Sequence, residues 1–449
     1  MGIAIILIMA AGVALILSGK LPTAFALVLL AVAIALVSGA PLMGAPGAPA
    51  SGAEGSVLQT VIQEGAVRLA ATMIAILLGS WLGSLMRETA IADTLVRKTV
   101  EFAGDRPVVV ALGVLVISAL VGSVTGSAPA ALLAGVIGIP AMIAVGVPKV
   151  TAAGTILMGI GVGVPFELPV WQFFSTALGL TIPEVRSFMI VLFPFALVAA
   201  VAFVLIETRR RGTVHAWSLA SMSQRHEDEP TRKPGRLPRR PSRRARLGDA
   251  PWWSLVTPLV PIVLALVLEV PIIPSLLAGI LYALVTTTRP RDMSTRLLRS
   301  LYDGFTVAAP PITLFIAIGM LLAAVSLPGA VGALSPIVEA LAPTNIWLYV
   351  IVFSVLVPLC LYRGPLNIYG LGAGIAGALT AIGFYSPLAV LGLMASYNQV
   401  FGISDPTSTQ TVWAAQYSGV KPQQVMVRTL PYVWPVAIGG IVVSALMYL

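Results

Sequence analysis

Long apolar runs separated by short polar turns make up most of this chain. An α-helix needs about 20 apolar residues to cross a bilayer. Runs of about that length are found at 2–18, 21–39, 66–86, 187–206, 252–269, 271–287, 303–325 and 430–449. Shorter or interrupted runs are found at 107–121, 127–146, 150–165, 346–362, 368–383 and 387–403. Two amphipathic segments, 88–104 and 327–343, predict helices that lie at the membrane interface.

One apolar run is broken by polar residues. Residues 398–411, with the sequence NQVFGISDPTSTQT, place Gly402, Asp405, Pro406 and four hydroxyl side chains where a membrane helix should continue. Proline lacks an N–H and clashes with the preceding turn, so the helix must break or kink there. In hydrocarbon, broken backbone occurs only where it is buried in protein or lines a wet cavity. A plain loop between two short helices is the alternative.

A second copy of this pattern lies about 240 residues earlier. Matches at nearly constant offset are Gly65 with Gly304, Val100-Glu101 with Val338-Glu339, residues 161–165 with 402–406, Pro183 with Pro422, and Pro194 with Pro431. Their collinearity indicates an internal repeat. Five spans per half is an odd number, which predicts that the halves are inverted. Paired interrupted helices in inverted halves point to a binding site at the bilayer midplane.

The predicted fold is therefore an all-α polytopic membrane protein built from two inverted repeats. Each repeat has about five transmembrane helices, a re-entrant hairpin and one interrupted helix. The first repeat is 1–206, with hairpin 107–146 and broken helix 150–179. The second is 251–449, with hairpin 346–383 and broken helix 387–418.

Composition supports this class and excludes others. The chain is 58% hydrophobic and 10% charged, whereas soluble domains carry about 25% charged residues. Its single cysteine, Cys360, rules out a disulfide framework, and His215 and His226 share one polar loop. We find no paired acids and no nucleophile–base spacing in the apolar runs, so we predict that the chain is not an enzyme. The N-terminal run lacks a basic leader and predicts a retained span.

Basic residues suggest an orientation. Residues 207–250 hold twelve Lys and Arg, and they predict a cytoplasmic linker because cytoplasmic loops are enriched in both residues. That rule also accounts for the net charge of +9, so no nucleic-acid partner is expected. The loop 40–63 has no Lys or Arg, as expected outside. We predict the inner membrane as the location, with both termini outside.

The two hairpin tips carry the candidate substrate contacts. In the first, Ser123, Thr125 and Ser127 offer hydroxyls, and the N-terminus of the following helix favours an anion. A small-residue helix contact is the alternative. In the second, Arg363 lies at membrane depth, where insertion costs at least ~2.5–3.5 kcal/mol.

An anionic substrate would offset that cost, because a guanidinium pairs with a carboxylate. An ion pair with Asp405, or snorkelling, is the other reading of Arg363. The predicted substrate contacts are Ser123, Thr125, Ser127, Arg363, Asn367, Asn398, Thr407 and Ser408.

The two breaks carry the candidate ion contacts. Asp405 is either a sodium ligand or a proton carrier, and Glu167, after the first break, is either an ion ligand or an exposed interfacial acid. The predicted cation contacts are Ser123, Gly161, Gly163, Asn367, Gly402, Ser404 and Asp405. No cofactor is expected other than Na⁺ or H⁺ as coupling ion.

The pattern resembles the ion transporter superfamily. Gly122–Met142 is similar to the Gly/Ser/Thr-rich tip, small-residue helix and IPAM-like segment of the large membrane subunit of tripartite ATP-independent periplasmic (TRAP) transporters. Met394–Thr409 is similar to that family's Met- and Asn-containing helix before a Gly-x-x-x-Pro break. Citrate and gluconate permeases belong to the same superfamily. The resemblance implies ions at Ser123, Thr125, Gly161, Gly163, Asn367, Gly402, Ser404 and Thr407.

The resemblance also implies import of a small organic anion by an elevator motion, with 88–104 and 327–343 as arms, and a homodimer in the lipid bilayer. We therefore predict a secondary transporter that imports a carboxylate coupled to Na⁺ or H⁺. Two alternatives stay open: a cation/proton antiporter with Asp405 as carrier, and a TRAP-type permease subunit that needs separate partners.

Overall fold

The computed structural model describes residues 1–43, 55–125, 127–209 and 249–449, apart from the side chains of Ser127 and Ala128. In these ranges the chain is helical and has no β-strand. The prediction of an all-α fold is confirmed.

The first half begins with α1 (Gly2–Leu17) and α2 (Thr23–Val37). A π-helix at Val57–Glu64 and the short α3 (Gly65–Val67) lead into α4 (Ala70–Glu88). The remaining helices are α5 (Ile91–Ala103), α6 (Pro107–Thr125), α7 (Ser127–Ala144), α8 (Lys149–Gly163), α9 (Leu168–Leu178) and α10 (Ile182–Arg209).

The second half follows the same order. Its helices are α11 (Leu259–Leu266), α12 (Ile272–Thr287), α13 (Met293–Val325), α14 (Pro328–Leu341), α15 (Ile346–Val355), α16 (Leu371–Ile382), α17 (Pro387–Ser404), α18 (Thr409–Ser418) and α19 (Pro422–Tyr448). A 3₁₀ turn at Val164–Phe166 fills the first break. Residues 405–408 form the second.

The helical segment made of α3 and α4 crosses α13 so closely that glycine is needed on both sides of the contact. A β-carbon added to Gly65 would lie 2.8 Å from the Cα of Met320, and one added to Gly304 would lie 2.6 Å from the Cα of Trp81. The offset of 239 that relates Gly65 to Gly304 also relates Trp81 to Met320. The two crossings are thus the same contact with the halves exchanged.

Other helix contacts are reciprocal in the same way. In the first half α2 packs on α13, and in the second α12 packs on α4. Likewise α8 contacts α19 while α17 contacts α10, and α7 contacts α18 while α16 contacts α9. An approximate twofold relation between the halves accounts for these pairs. The inverted orientation of the halves in a membrane stays a prediction.

Six described helical segments are long and apolar enough to cross a membrane: Val57–Glu88, Pro107–Thr125, Lys149–Phe166, Ile182–Arg209, Pro290–Val325 and Pro422–Tyr448. Shorter apolar helices, among them α1, α2, α12 and α16, accompany them. Helices α14 and α15 meet at a bend of 104°. The chain is a multi-pass membrane protein, and the predicted total of ten crossings is not tested by these lengths.

Ion pairs link the two halves of the chain. Arg299 pairs with Glu88 at 3.0 Å, Arg428 pairs with Glu207 at 3.2 Å, and Arg186 pairs with Glu269 at 2.9 Å. In each pair one residue belongs to the first half and the other to the second.

Two predicted segment boundaries need correction. The predicted outer loop 40–63 ends earlier, because the π-helix Val57–Glu64 begins within it. Val57 and Val61 are buried there, and the side chain of Ser56 accepts a hydrogen bond from the backbone N–H of Gln59. The linker is shorter than the predicted 207–250. At its start, α10 continues to Arg209, and Glu207 in this helix pairs with Arg428. At its end, Asp249 pairs with Arg97. The rest of the linker lies outside the described residues.

The two predicted hairpins differ in structure. Helices α6 and α7 pack side by side, and α5 packs on both. In the second half, α15 packs on α19, α16 packs on α13 and α14, and an irregular segment at 361–370 joins them. The second tip is therefore a long stretch of non-helical backbone that needs other partners.

Candidate functional site

A cavity of about 540 Å³ lies between the two halves. This volume falls in the range of small-molecule sites, roughly 300–1,000 Å³. Both hairpin tips, both interrupted helices, the start of α2 and the middle of α13 line it. The lining includes Thr23, Thr125, Glu167, Pro310, Pro311, Phe315, Arg363, Asn367, Tyr369, Phe401, Asp405 and Ser408.

The second tip is held in an unusual backbone conformation. Tyr362 and Arg363 both have φ of 55°, in the left-handed region, which costs a non-glycine residue about 1–2 kcal/mol. Their backbone N–H groups donate to the two oxygens of Asp405, at 3.1 Å to Oδ1 and 3.2 Å to Oδ2. Consecutive N–H groups in such a turn form a concave anion site. Here the anion is a side chain of the second break.

Asp405 accepts three further hydrogen bonds. The Nδ2 of Asn367 donates to Oδ2 at 3.4 Å, and the backbone N–H and hydroxyl of Thr407 donate to Oδ1 at 2.8 and 2.7 Å. The residue is 1% exposed. Five donors converge on one carboxylate, which ties the second tip to the second break.

The guanidinium of Arg363 does not pair with Asp405, contrary to the ion-pair alternative. No Asp or Glu oxygen of the described residues lies within 4.0 Å of it. Its Nη1 instead donates to the hydroxyl of Thr23 at 3.2 Å. Only the backbone of Arg363 binds the carboxylate, because the left-handed turn directs the N–H toward Asp405. A half-buried guanidinium thus lines the cavity, and it has no acidic partner in the described part of the chain.

Asn367 is fully engaged at the base of the tip. Its Nδ2 also donates to the carbonyl of Cys360 at 3.2 Å, and its Oδ1 accepts from the N–H of Tyr369 at 2.9 Å. The residue lines the cavity and is 3% exposed. Its contacts shape the tip.

The first tip contributes fewer side chains than expected. Thr125, the last residue of α6, lines the cavity, and its hydroxyl bonds the carbonyl of Val121 at 2.9 Å. Ser123 bonds the carbonyl of Leu120 at 2.8 Å and is not among the described lining residues. The side chain of Ser127 lies outside the described part of the structure.

Glu167 follows the first break and faces the cavity. It is 6% exposed, so the alternative of an exposed interfacial acid is wrong. Its backbone accepts the first hydrogen bonds of α9, from Val170 and Trp171, which fixes the residue at the start of that helix. Its carboxylate has no hydrogen-bond or ion-pair partner among the described side chains and backbone groups.

The second break is closed by side chains of α18. Gln410 donates from Nε2 to the carbonyl of Gly402 at 2.9 Å, and Thr411 donates to that of Ile403 at 3.4 Å. Ser404 shares a 2.7 Å bond with Thr429. Ser408 caps α18 by accepting from the N–H of Thr411, and it lines the cavity. The carbonyl of Gly402, a predicted cation contact, therefore has a protein donor.

The glycines of the first break have a packing role. A β-carbon on Gly163 would lie 2.4 Å from the carbonyl oxygen of Ala119, and one on Gly161 would lie 2.1 Å from Ile403. Gly161 thus lets α8 approach α17. Neither glycine is among the described cavity-lining residues.

Near that crossing, polar groups are buried without protein partners. Asn398 Nδ2 and both amide atoms of Gln399 have none among the described residues, and Gln399 Oε1 would lie 3.6 Å from a β-carbon on Gly161. Asn398 is 3% exposed and does not line the cavity among the described residues. Sequence reasoning missed Gln399, although its position within an interrupted apolar run was a signal.

The sequence interpretation predicted the apolar runs of α2 and α13 but missed that both helices line the cavity. Thr23 starts α2 and holds Arg363. Pro310 and Pro311 lie inside α13 and line the cavity, and each removes a helix hydrogen bond to the carbonyl four residues earlier. Consecutive prolines in an apolar run were a sequence signal that this part of the helix could line a site.

Aromatic rings form the apolar part of the lining. Tyr369 packs edge-on against Phe315 at 5.6 Å and against Phe401 at 5.1 Å between ring centroids. One face of the cavity is thus apolar, while Arg363, Glu167 and Asp405 supply its charged side chains. No cluster of three or more His, Cys, Asp and Glu that could hold a metal ion occurs in the described part of the chain.

In a comparison with solved structures, the chain is similar to the Alcanivorax borkumensis YdaH transporter. The TM-score is 0.58 at 15% sequence identity, and the match covers 95% of this chain and 98% of that one. The likeness shows that this chain has the fold of a membrane transporter. No protein-family model matches the sequence, and no curated protein matches it either.

Proposed function

We propose that this chain is a secondary active transporter that imports a small organic anion, a carboxylate, coupled to Na⁺ or H⁺. The observation that carries the proposal is the guanidinium of Arg363, which lines a cavity between the halves and has no acidic partner among the described residues. A cation at membrane depth needs an offsetting partner, and a carboxylate meets its donors in a bidentate geometry. The fold of a transporter, shared over nearly the whole chain, supports transport as the activity.

The shape of the site supports alternating access. Ligands of transporters with inverted halves bind where interrupted helices from both halves meet, and here both breaks contribute lining residues, Glu167 and Asp405. The amphipathic α5 packs on α6 and α7, and α14 packs on α16. These contacts suit arms that carry the tips in an elevator motion. A homodimer in the inner membrane, with both termini outside, belongs to the same proposal, as does membership of the ion transporter superfamily.

The predicted cation contacts remain part of the proposal. These contacts lie around the two breaks, where helix ends and carbonyls can coordinate Na⁺. They are Ser123, Gly161, Gly163, Asn367, Gly402, Ser404 and Asp405. Among the second-half contacts, Asp405 and Gly402 already accept hydrogen bonds from protein donors. An ion bound there would share the oxygens of Asp405 and Gly402 with their protein hydrogen-bond donors.

The alternative of a cation/proton antiporter with Asp405 as carrier has less support. Asp405 holds the second tip through five hydrogen bonds, so removing its charge would loosen the tip itself. A TRAP-type permease subunit with separate partners is the other alternative. It predicts that the purified chain alone imports nothing.

Uptake by proteoliposomes tests the proposal. We expect purified wild-type protein to accumulate radiolabelled succinate or benzoate when a Na⁺ or pH gradient is applied. Arg363→Ala should abolish accumulation, and Arg363→Lys should restore only part of it, because an ammonium lacks the bidentate geometry. Accumulation that survives Arg363→Ala, or wild-type uptake that ignores both gradients, would contradict the proposal.

A further inference from the structure

Two carboxylates line the cavity, and they differ in their surroundings. Asp405 is surrounded by five donors. Glu167 is 6% exposed and has no donor among the described residues. Because an ionised carboxylate in a low-dielectric site needs compensation by donors or an opposite charge, the two groups cannot have the same role.

Within the described residues, the ionisable groups near Glu167 do not supply that compensation. Tyr369, which precedes α16, is its neighbour, and Arg363 and Asp405 line the same cavity. Arg363 is engaged with Thr23, and it forms no ion pair with Glu167. Helix α4 presents the non-ionisable Ile76 and Ser80 to the cavity. On α10, Arg186 pairs with Glu269, Glu207 pairs with Arg428, and Glu184 accepts hydrogen bonds from Thr181.

The position of Glu167 suits a group that must change state during transport. It sits between the 3₁₀ turn Val164–Phe166 and α9, so its backbone is fixed by the first interrupted helix. Its side chain faces the same cavity as Arg363. A proton neutralises a buried carboxylate without needing any ligand from the protein, whereas Na⁺ requires several oxygens.

We propose that Glu167 binds the coupling proton: it is protonated in the conformation described here and releases its proton when the cavity opens to the cytoplasm. This inference rests on the proposed transport of a carboxylate and names its coupling ion. The carboxylic acid keeps the loaded cavity free of an unpaired negative charge while Arg363 holds the anion. The proton and the anion then cross together. The empty carrier returns with Glu167 deprotonated, and Glu167 takes up a new proton once the cavity opens to the outside.

Infrared spectroscopy tests proton binding without any ligand. Purified wild-type protein at neutral pH, in a detergent without ester groups, should show a carboxylic-acid C=O band. Glu167→Gln should lack that band, and Glu339→Gln, which changes an exposed acid on α14, should retain it. A wild-type spectrum without the band, or one that Glu167→Gln leaves unchanged, would overturn the proposal.

Transport assays test the coupling role. Under an inward pH gradient we expect Glu167→Gln vesicles to lose accumulation of labelled succinate and benzoate down to the level of empty vesicles. Exchange of internal unlabelled for external labelled anion, which needs no net proton release, should persist, and this persistence shows that the variant is folded. Continued accumulation by Glu167→Gln, or wild-type accumulation driven by Na⁺ alone, would overturn the coupling role.

A different result would count against the proposed function, carboxylate transport, itself. Wild-type vesicles that accumulate neither anion under either gradient would contradict carboxylate transport, and the coupling role with it. The infrared band would still decide whether Glu167 holds a proton.

Discussion

The backbone N–H of Arg363 donates a hydrogen bond to Oδ2 of Asp405 across 3.2 Å, although 42 residues separate the two in sequence. The contact binds the second hairpin tip to the second break. It also leaves the guanidinium of the same arginine free of Asp405 and on the cavity wall. One residue thus joins the frame of the site through its backbone and lines the cavity with its side chain.

Asp405→Asn should destabilise the protein markedly. The amide keeps one acceptor oxygen and presents an NH₂ group to backbone N–H donors, so buried donors lose their partner. We expect a loss of about 3 kcal/mol in the free energy of unfolding, seen as a lower melting temperature in detergent. Asp303→Asn is the control, because Asp303 forms only a solvent-accessible pair with Arg87 at 3.6 Å, worth about 1 kcal/mol or less. Equal melting temperatures for the two variants would refute the role given to Asp405.

Thr23→Val should weaken substrate binding and leave turnover intact. The hydroxyl of Thr23 positions the guanidinium of Arg363 through a bond of 3.2 Å. Loss of a hydrogen bond worth about 1.4 kcal/mol would raise the KM for uptake about tenfold. Thr313→Val is the matched control, since Thr313 also lines the cavity but bonds the carbonyl of Ala309 in its own helix. A KM shift of the same size in both variants would argue against a specific contact with Arg363.

Gly304→Ala should be destabilising although alanine favours helices. The new β-carbon would lie 2.6 Å from the Cα of Trp81, and the backbone of α4 would have to move. Overpacking of this kind costs roughly 1–3 kcal/mol. Gly332→Ala, in α14 with no atom within 4 Å of the added β-carbon, should leave the melting temperature unchanged or raise it. The account of the crossing is wrong if Gly304→Ala melts no lower than Gly332→Ala.

The predicted orientation can be measured by cysteine labelling. Cys360 is buried, so Cys360→Ala supplies a cysteine-free background. In intact cells, an impermeant maleimide should react with Leu449→Cys and reach Lys98→Cys only after permeabilisation. The reverse pattern would show that the topology is inverted.

Much of the fold could be predicted because membrane helices show their length and breaks in sequence. The interruption around Pro406 is a break between α17 and α18, and the segments 88–104 and 327–343 are the short helices α5 and α14. The sequence match of Gly65 with Gly304 has a structural counterpart, because each glycine lies at a close helix crossing. The inverted repeat itself stays a prediction.

The site was harder to predict, because its contacts join residues far apart in the chain. Nothing in the local sequence around Arg363 indicates a left-handed turn that points its N–H, rather than its side chain, at Asp405. Nor does it reveal Thr23, which lies 340 residues away. The burial of Glu167 depends on how α9 packs against the second half. The sequence of the first half alone therefore could not predict whether Glu167 is exposed.

Substrate protection of introduced cysteines tests the central claim most directly, namely that both halves line one carboxylate site. In the Cys360→Ala background, Thr125→Cys samples the first tip and Ser408→Cys samples the second break, and both residues line the cavity. The account predicts that the same concentration of succinate or benzoate slows maleimide labelling at both positions, and that added Arg363→Ala removes the protection. Protection at only one position, or protection that survives Arg363→Ala, would contradict it.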